Sequence, residues 1–529
     1  MTIVWNAQCV SEGLEKIDEA RPKVLAKVKQ MLDAYHRTEK SPRYYDILLG
    51  DWVERYLHLV YVAVQKHSVD SKIQVGGVDA EEKLEITPSR DLAEFFSAHQ
   101  TLPDLVLATL QTISLHGPGS LKILGGEATI KNSNESNRLD LLIASLMRVL
   151  APGSTPKIVF VKPFSGRTPG SWRSAMWSWR KWARQDDMGF GFSVRAKIDT
   201  QWRSNNLSGF STHGHLGEVA NAMLSAFLPV CLVEGLDQIK SQMLSHRATR
   251  PAHVYSAQSL WTHLAFKVLV AQWCEDGSKL HYHQHGGWYG LDESHVAEKY
   301  ESRVADYYYT WGWSRGSTNT ISLPPVLPAL KRSGASQDSL ICFDQPKEIY
   351  RLQYFPLPGT IQTMYEQTAE FVKTRRSETN LVVRLFPGDF GQAQRQAITA
   401  AGAATSFDNS TPIFEQYGSS RIVFHNYLGT SWLETMGLDI PTICFYDVDA
   451  YRFRSDAKSL LEDLVEAGIL HLSGESAADH ANSIENDVAK WWLRDDVQTA
   501  KRNFTRQYAN FSQDWKSAWE TNFARFLIR

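Results

Sequence analysis

Phe424–Asp447 reads FHNYLGTSWLETMGLDIPTICFYD. A strand pattern ends at His425, a polar turn runs through Asn426, Tyr427, Leu428, Gly429 and Thr430, and a helical pattern opens at Ser431. Ile440-Pro441 stops the helix, and a second apolar run, Thr442–Tyr446, follows directly. Two apolar runs joined by a helix are the unit of a parallel sheet, because parallel neighbours need a crossover and the crossover covers one face of the sheet. The alternation extends outward over the second half of the chain. Leu340–Phe343, Leu381–Leu385 and Arg421–His425 read as further strands, and Thr360–Arg375, Gly391–Ala401 and Ser431–Gly437 as helices.

The first half carries a second series. Lys157–Val161 (KIVFV) is a continuous apolar run, as expected of a strand buried on both faces. Trp172, Met176, Trp179 and Ala183 form one helical stripe, Asn221–Ser241 a helix broken at Pro229, and Ser259–Cys274 a further helix. Leu280–Gly290 (LHYHQHGGWYG) reads as a short strand running into a glycine turn. Nearer the start, Trp52, Tyr56, Val60 and Ala63 mark a helix. Val69–Arg90 reads as a loop, Leu92–Ser114 and Leu139–Leu150 as helices, and Leu121–Leu124 as a short strand. Trp313–Ser336, rich in Gly, Ser, Thr and Pro, reads as a boundary. Phe504, Tyr508, Phe511, Trp515, Trp519, Phe523 and Phe526 step by three or four, which predicts one long helix with a single aromatic face. The expected architecture is α/β, with two Rossmann-like domains facing a central cleft. Residues 1–325 and 326–495 form the halves, and 496–529 the closing helix. Ligands of open α/β sheets bind beyond the carboxyl ends of the strands, so the loops there are where chemistry is expected.

With 529 residues, the chain is long enough for two large domains. Lys+Arg 56 against Asp+Glu 58 leaves a formal charge of −2, which excludes a globally basic nucleic-acid binder. Five scattered cysteines without a CxxC pair argue against disulfides and zinc ribbons, and for a reducing compartment. The N-terminal residues show no signal peptide, and no run reaches the about 18 apolar residues that span a bilayer, so a cytoplasmic protein is expected. The GxGxxG, GxxxxGK[ST] and GxSxG signatures are absent. Asp447-Val448-Asp449 imitates a DxD metal motif but lies late in the second half, and is read as coincidence.

Three constellations remain. His281, His283 and His285 would share one strand face and invite a metal reading, although the Gly-Gly pair ends the strand near His285. In the other reading Gln284 and His285 stand at the cleft edge, and Gly286 and Gly287 let the backbone approach a ligand. Arg384 ends a strand, followed by the turn Pro387-Gly388-Asp389. It offers a fork to a phosphate or carboxylate, or else pairs with Asp389. Ser431-Trp432-Leu433-Glu434 matches a capping box, while the helix start it marks is also a natural anion site. Arg173, Arg180, Lys181 and Arg184 interleave with or follow the tryptophans of Trp172–Trp182. That segment reads as a core stripe with a solvated basic side, or as a membrane-surface face.

Together QHGGWYG (284–290), KYESRVADYYYTWGW (299–313), VVRLFPGDFG (382–391), Phe424–Asp447 and QYANFSQDWKSAWETNFARFL (507–527) resemble the sugar transferases of bacterial O-antigen and surface-polysaccharide gene clusters. ILLGDWVERYLHLVY (47–61) resembles an N-terminal patch of that family. The chain starts close to this patch, as though part of the usual N-terminal region were missing. Ser256–Trp273 stands where a Tyr/Asp/Glu-bearing stretch is expected. The resemblance implies a metal-independent, GT-B-like glycosyltransferase with no cofactor. Its donor would be a nucleotide sugar, CMP-linked and of nonulosonic or Kdo type first, UDP- or GDP-linked next. Its acceptor would be a glycan or lipid-linked glycan, reached from the cytoplasmic membrane face. Arg384, Asp389, Tyr427, Thr430, Ser431 and Glu434 would hold the nucleotide, and Gln284, Gly286 and Gly287 the sugar side. His285 would be the general base, and Glu234 or Asp237 the nucleophile of a retaining route. The rivals are a metal-dependent hydrolase using His281, His283 and His285, and a non-catalytic binding protein on the same fold.

Overall fold

The computed structural model describes residues 7–70, 83–98, 101–131, 157–163, 170–186, 192–211, 214–245, 250–261, 263–293, 295–316, 319–326, 330–334, 337–344, 356–376, 379–387, 394–402 and 405–527. Two small ribbons come early. β1 (Leu84–Ile86) pairs in parallel with β2 (Leu121–Ile123), and β3 (Glu127–Lys131) pairs antiparallel with β6 (Ser193–Lys197).

The first large sheet contains β4 (Ile158–Val161), β5 (Ala183–Gln185), β7 (His253–Ser256), β8 (Lys279–His283), β9 (Tyr307–Thr310) and β10 (Thr320–Ser322), in the order β10-β9-β8-β7-β4-β5. The second contains β11 (Gln337–Ile341), β12 (Leu381–Arg384), β13 (Thr405–Phe407), β14 (Ser420–His425), β15 (Thr442–Phe445) and β16 (Leu470–His471), in the order β13-β12-β11-β14-β15-β16. Every pair in both is parallel. Counted from its own first strand, the second sheet runs 3-2-1-4-5-6, the Rossmann order, with its switch point between β11 and β14. The first reverses between β4 and β7. β4 is buried along its whole length, as a strand covered on both faces must be. This is the α/β, two-sheet GT-B arrangement.

Helices Ala7–His36 and Pro42–Asp70 pack on each other, and the second packs on Leu264–Glu275. A fully buried Lys267–Asp51 ion pair links these layers.

Several elements differ from expectation. Residues 84–86 form a strand where a loop is expected, and 71–82 and the expected helix Leu139–Leu150 lie outside the described residues. The Trp172 helix stops at Trp179, so Ala183 belongs to β5. β10 falls inside the expected boundary stretch as an edge strand of the first sheet. β7, β9, β13 and β16 are two to four residues long, too short to show a period.

The C-terminal aromatic face divides between two helices, Asp495–Tyr508 and Trp515–Leu527. Phe504 meets Trp432 of the second half, whereas Trp515, Trp519, Phe523 and Phe526 pack against Trp172, Phe160, Tyr255 and His253 of the first. A straight helix cannot serve two separate sheets with one face. The break at 509–514 is held by Asn510 N–H donating to Trp311 O at 2.8 Å.

Candidate active site

The loops leaving β8 and β14, one from each sheet, meet. Gly287 N–H donates to Thr430 Oγ1 at 2.8 Å. A Cβ on Gly287 would stand 2.5 Å from the Gly429 carbonyl carbon and 2.7 Å from Thr430 N, so only glycine lets the two backbones come this close. Trp288 follows at φ +74, in the left-handed region that costs an ordinary residue about 1–2 kcal/mol. That turn brings its indole to Phe343 and Tyr427, at 5.7 and 6.4 Å between ring centroids. A second contact lies close by in sequence. Asp292 and Phe453 form an antiparallel bridge, and Glu293 pairs with Arg452 at 2.8 Å.

Gln284 organises the turn. Its Oε1 accepts from Trp311 N and Trp313 Nε1 at 2.8 and 2.7 Å, and its Nε2 donates to Gly286 O at 3.1 Å. The side chain is buried, and its carbonyl oxygen and one amide hydrogen are engaged within the turn, so its part here is to shape the loop.

His285 sits on this turn with about a quarter of its side chain (26%) exposed. Its Nδ1 lies 3.2 Å from Tyr289 Oη and 3.6 Å from Glu301 Oε1. Burial pushes its pKa down to about 4, partly offset by the Ala257 carbonyl beside the ring, so the imidazole is neutral at pH 7. Glu301 is wholly buried and accepts from Trp261 Nε1 (2.7 Å), Tyr289 Oη (3.0 Å) and Tyr308 Oη (3.1 Å). Burial raises its pKa to about 8, against the pull of those three donors. Sequence reasoning missed Glu301. Its one signal is a carboxylate on the inner face of the Val296–Val304 helix, among buried Val296, Tyr300 and Val304.

The metal reading of the histidines fails on geometry. His281 Nε2 bonds His253 Nδ1 at 2.9 Å, and its Nδ1 bonds Tyr309 Oη at 2.7 Å. His283 bonds Tyr255 Oη and Leu323 O, at 2.6 and 3.0 Å. Both rings are buried and fully engaged, while His285 turns to a different set of partners. Among the described residues no cluster of His, Cys, Asp or Glu could hold a metal ion.

On the β14 side, helix Thr430–Gly437 is capped by Gly429 without any side-chain bond, so the capping box does not form. Ser431 Oγ instead lies 3.2 Å from His425 Nδ1 and 3.3 Å from Tyr427 Oη. Glu434 accepts from Tyr417 Oη at 3.0 Å, and burial raises its pKa to about 7. Tyr427 stacks on Phe343 at 4.6 Å. Arg384 Nη1 donates to Thr411 O (2.7 Å) and Gln416 Oε1 (3.3 Å), both of its own half. Asp389 lies outside the described residues.

Glu234 and Asp237 have other partners. Glu234 takes the buried Arg203 fork at 2.7 and 2.8 Å and also accepts from Asp199 N. Asp237 is exposed and pairs with His36 at 3.0 Å. None of these partners belongs to the loops at 284–290 or 426–434, so the structure gives both carboxylates pairing partners away from those loops.

No curated protein matches the sequence. Among solved structures, partial overlaps include the wall teichoic acid polymerase TagF, at 11% identity over 74% of this chain and 95% of that one, with a TM-score of 0.33. The glycotransferase of kitacinnamycin overlaps at 10% identity over 71% and 100%, with a TM-score of 0.35. S. aureus MnaA with UDP overlaps at 10% identity over 55% and 78%, with a TM-score of 0.34. Residues 5–523 match the family described as LIC12162 family transferase. With that match running along nearly the whole sequence, and two Rossmann-like sheets joined through their strand-end loops, the chain belongs to the LIC12162 transferase family.

Proposed function

We propose that this enzyme moves a sugar from a nucleotide-activated donor onto a bacterial surface glycan, O-antigen or capsule. A CMP-linked nonulosonic or Kdo-type sugar is the first choice of donor. The observation that supports this best is the meeting of Gly286-Gly287 with Gly429-Thr430, at the carboxyl ends of two parallel sheets. The CMP preference rests on the resemblance to transferases of surface-polysaccharide gene clusters. Residues 326–495 take the donor, with Thr430, Ser431 and Glu434 at the first turns of their helix, Tyr427 in the turn before it, and Arg384 and Asp389 as further donor contacts. Residues 1–325 take the acceptor, and 496–529 tie the halves together.

His285, neutral and half-buried, is the general base. It accepts the acceptor hydroxyl's proton as that oxygen attacks the anomeric carbon and the nucleotide leaves. The enzyme works at the cytoplasmic membrane face. Trp177 is 50% exposed, and Arg173, Arg180 and Lys181 are exposed around it, a composition that suits an anionic surface. No helix among the described residues is long and apolar enough to cross a membrane.

A thermal-shift series with CMP, UDP and GDP tests the donor. A ligand at a hundred times its Kd stabilises the native state by about 2.7 kcal/mol. CMP is expected to give the largest rise in Tm. A larger rise with UDP or GDP reassigns the donor, and no rise with any of the three removes the nucleotide-sugar reading.

A further inference from the structure

Tyr289 has one hydroxyl proton and two neighbours that want it. Its oxygen lies 3.0 Å from Glu301 Oε1, to which it donates, and 3.2 Å from His285 Nδ1. With that proton directed at the carboxyl group, the hydroxyl oxygen can only accept from the ring, so Nδ1 carries the hydrogen. Glu301 cannot turn away, because Trp261 and Tyr308 hold its two oxygens from other elements at 2.7 and 3.1 Å. The Ala257 carbonyl beside the ring can only accept, and so competes for the ring proton.

We propose that Glu301, acting through Tyr289, is a positioning residue that holds the His285 proton on Nδ1 and leaves Nε2 bare to accept a proton. The value of this arrangement to catalysis rests on His285 being the base; the tautomer itself does not. When Nε2 takes a proton, the imidazolium gains a carboxyl group 3.6 Å from Nδ1 as its partner. The groups facing Glu301 are His285, Tyr289, Tyr308, Tyr282 and Glu298, with His295 close by. Arg315 neutralises Glu298.

Imidazole nitrogen-15 shifts of histidine-labelled enzyme give the tautomer without any substrate, with His285 assigned by its loss in H285N. The wild type is expected to show protonated Nδ1 and bare Nε2, Y289F to lose that preference, and E301Q, whose amide oxygen still accepts from Trp261 and Tyr289, to keep it. A wild-type ring protonated on Nε2, or an unchanged ring in Y289F, overturns the proposal. Y289F retains the carboxyl group and the ring packing, so it decides the matter even where E301Q does not fold.

The catalytic arm is separate. Once the thermal-shift series has identified the donor, E301Q is expected to lose roughly tenfold to a hundredfold in kcat with KM little changed. It should also lose any rise in rate through pH 8 that ionisation of Glu301 confers. Full activity in H285A would remove the base while leaving the tautomer result standing. Wild-type kcat and pH profile in E301Q, beside an inactive H285A, would remove Glu301.

Discussion

His285 and Glu434 carry the sharpest consequences at the residue scale, because burial sets the charge state of both. H285A is expected to lower kcat by about 10² to 10⁴ while nucleotide affinity stays at the wild-type level. Rate assays beside calorimetric titration check both halves of that statement. With a pKa near 4, the loss of activity caused by protonation of the ring itself should set in only as pH falls to about that value, well below the step assigned to Glu301 near pH 8.

For Glu434 the folded pKa of about 7 stands above the ordinary 4.5. Between those two values the native state binds more protons than the unfolded chain, so stability falls as pH rises from about 4.5 to 7. Glutamine has no such cost. E434Q should therefore melt close to the wild type at pH 4 and above it at pH 8, as thermal melts at the two pH values would show. A lower Tm for E434Q at pH 8 would mean that the charged form is held by something other than Tyr417. The capping-box pattern at 431–434 predicted a different partner. A Ser-to-Glu separation of three specifies reach along a helix, but not where the helix begins; a Ser431 cap needs Trp432 as the first helical residue, and here the helix begins two residues earlier, at Thr430.

Among the elements, the last helix is the most exposed to a single change. Trp519 is fully buried against Phe160, Trp179 and Tyr255, and its Nε1 donates to Pro324 O at 2.8 Å. W519A should cost about 3–5 kcal/mol, read as a lower denaturant midpoint at constant m. The regular spacing from Phe504 to Phe526 was legible as an apolar face. Its division between two sheets was not, because periodicity reports which residues want burial and says nothing of what buries them.

At the scale of the whole molecule, the polar links between the two halves among the described residues include the Gly287–Thr430 bond and the Glu293–Arg452 pair, and the first of them joins the two strand-end loops. T430V keeps the side-chain shape and removes the acceptor. The buried Gly287 N–H then loses its partner, a cost of about 1–3 kcal/mol. Hydrogen exchange at Gly287 should quicken while β4 and β14 amides keep their protection. Slow exchange at Gly287 in T430V would show that its amide is protected by something other than this contact.

The sequence by itself determined that the chain alternates strand and helix in two parallel series. It also determined that polar turns with glycine follow β8 and β14. Both are local properties: a strand buried on two faces must be apolar throughout, and a close backbone approach needs residues without side chains. The tertiary structure alone decided who meets whom. Gly287 finds Thr430 across 143 residues, and Glu301 finds Trp261 across 40. Glu234, a candidate nucleophile by residue type, is taken by Arg203, 31 positions away. Charge state follows from those meetings, since desolvation and hydrogen-bond partners act through space and leave no trace in the order of residues.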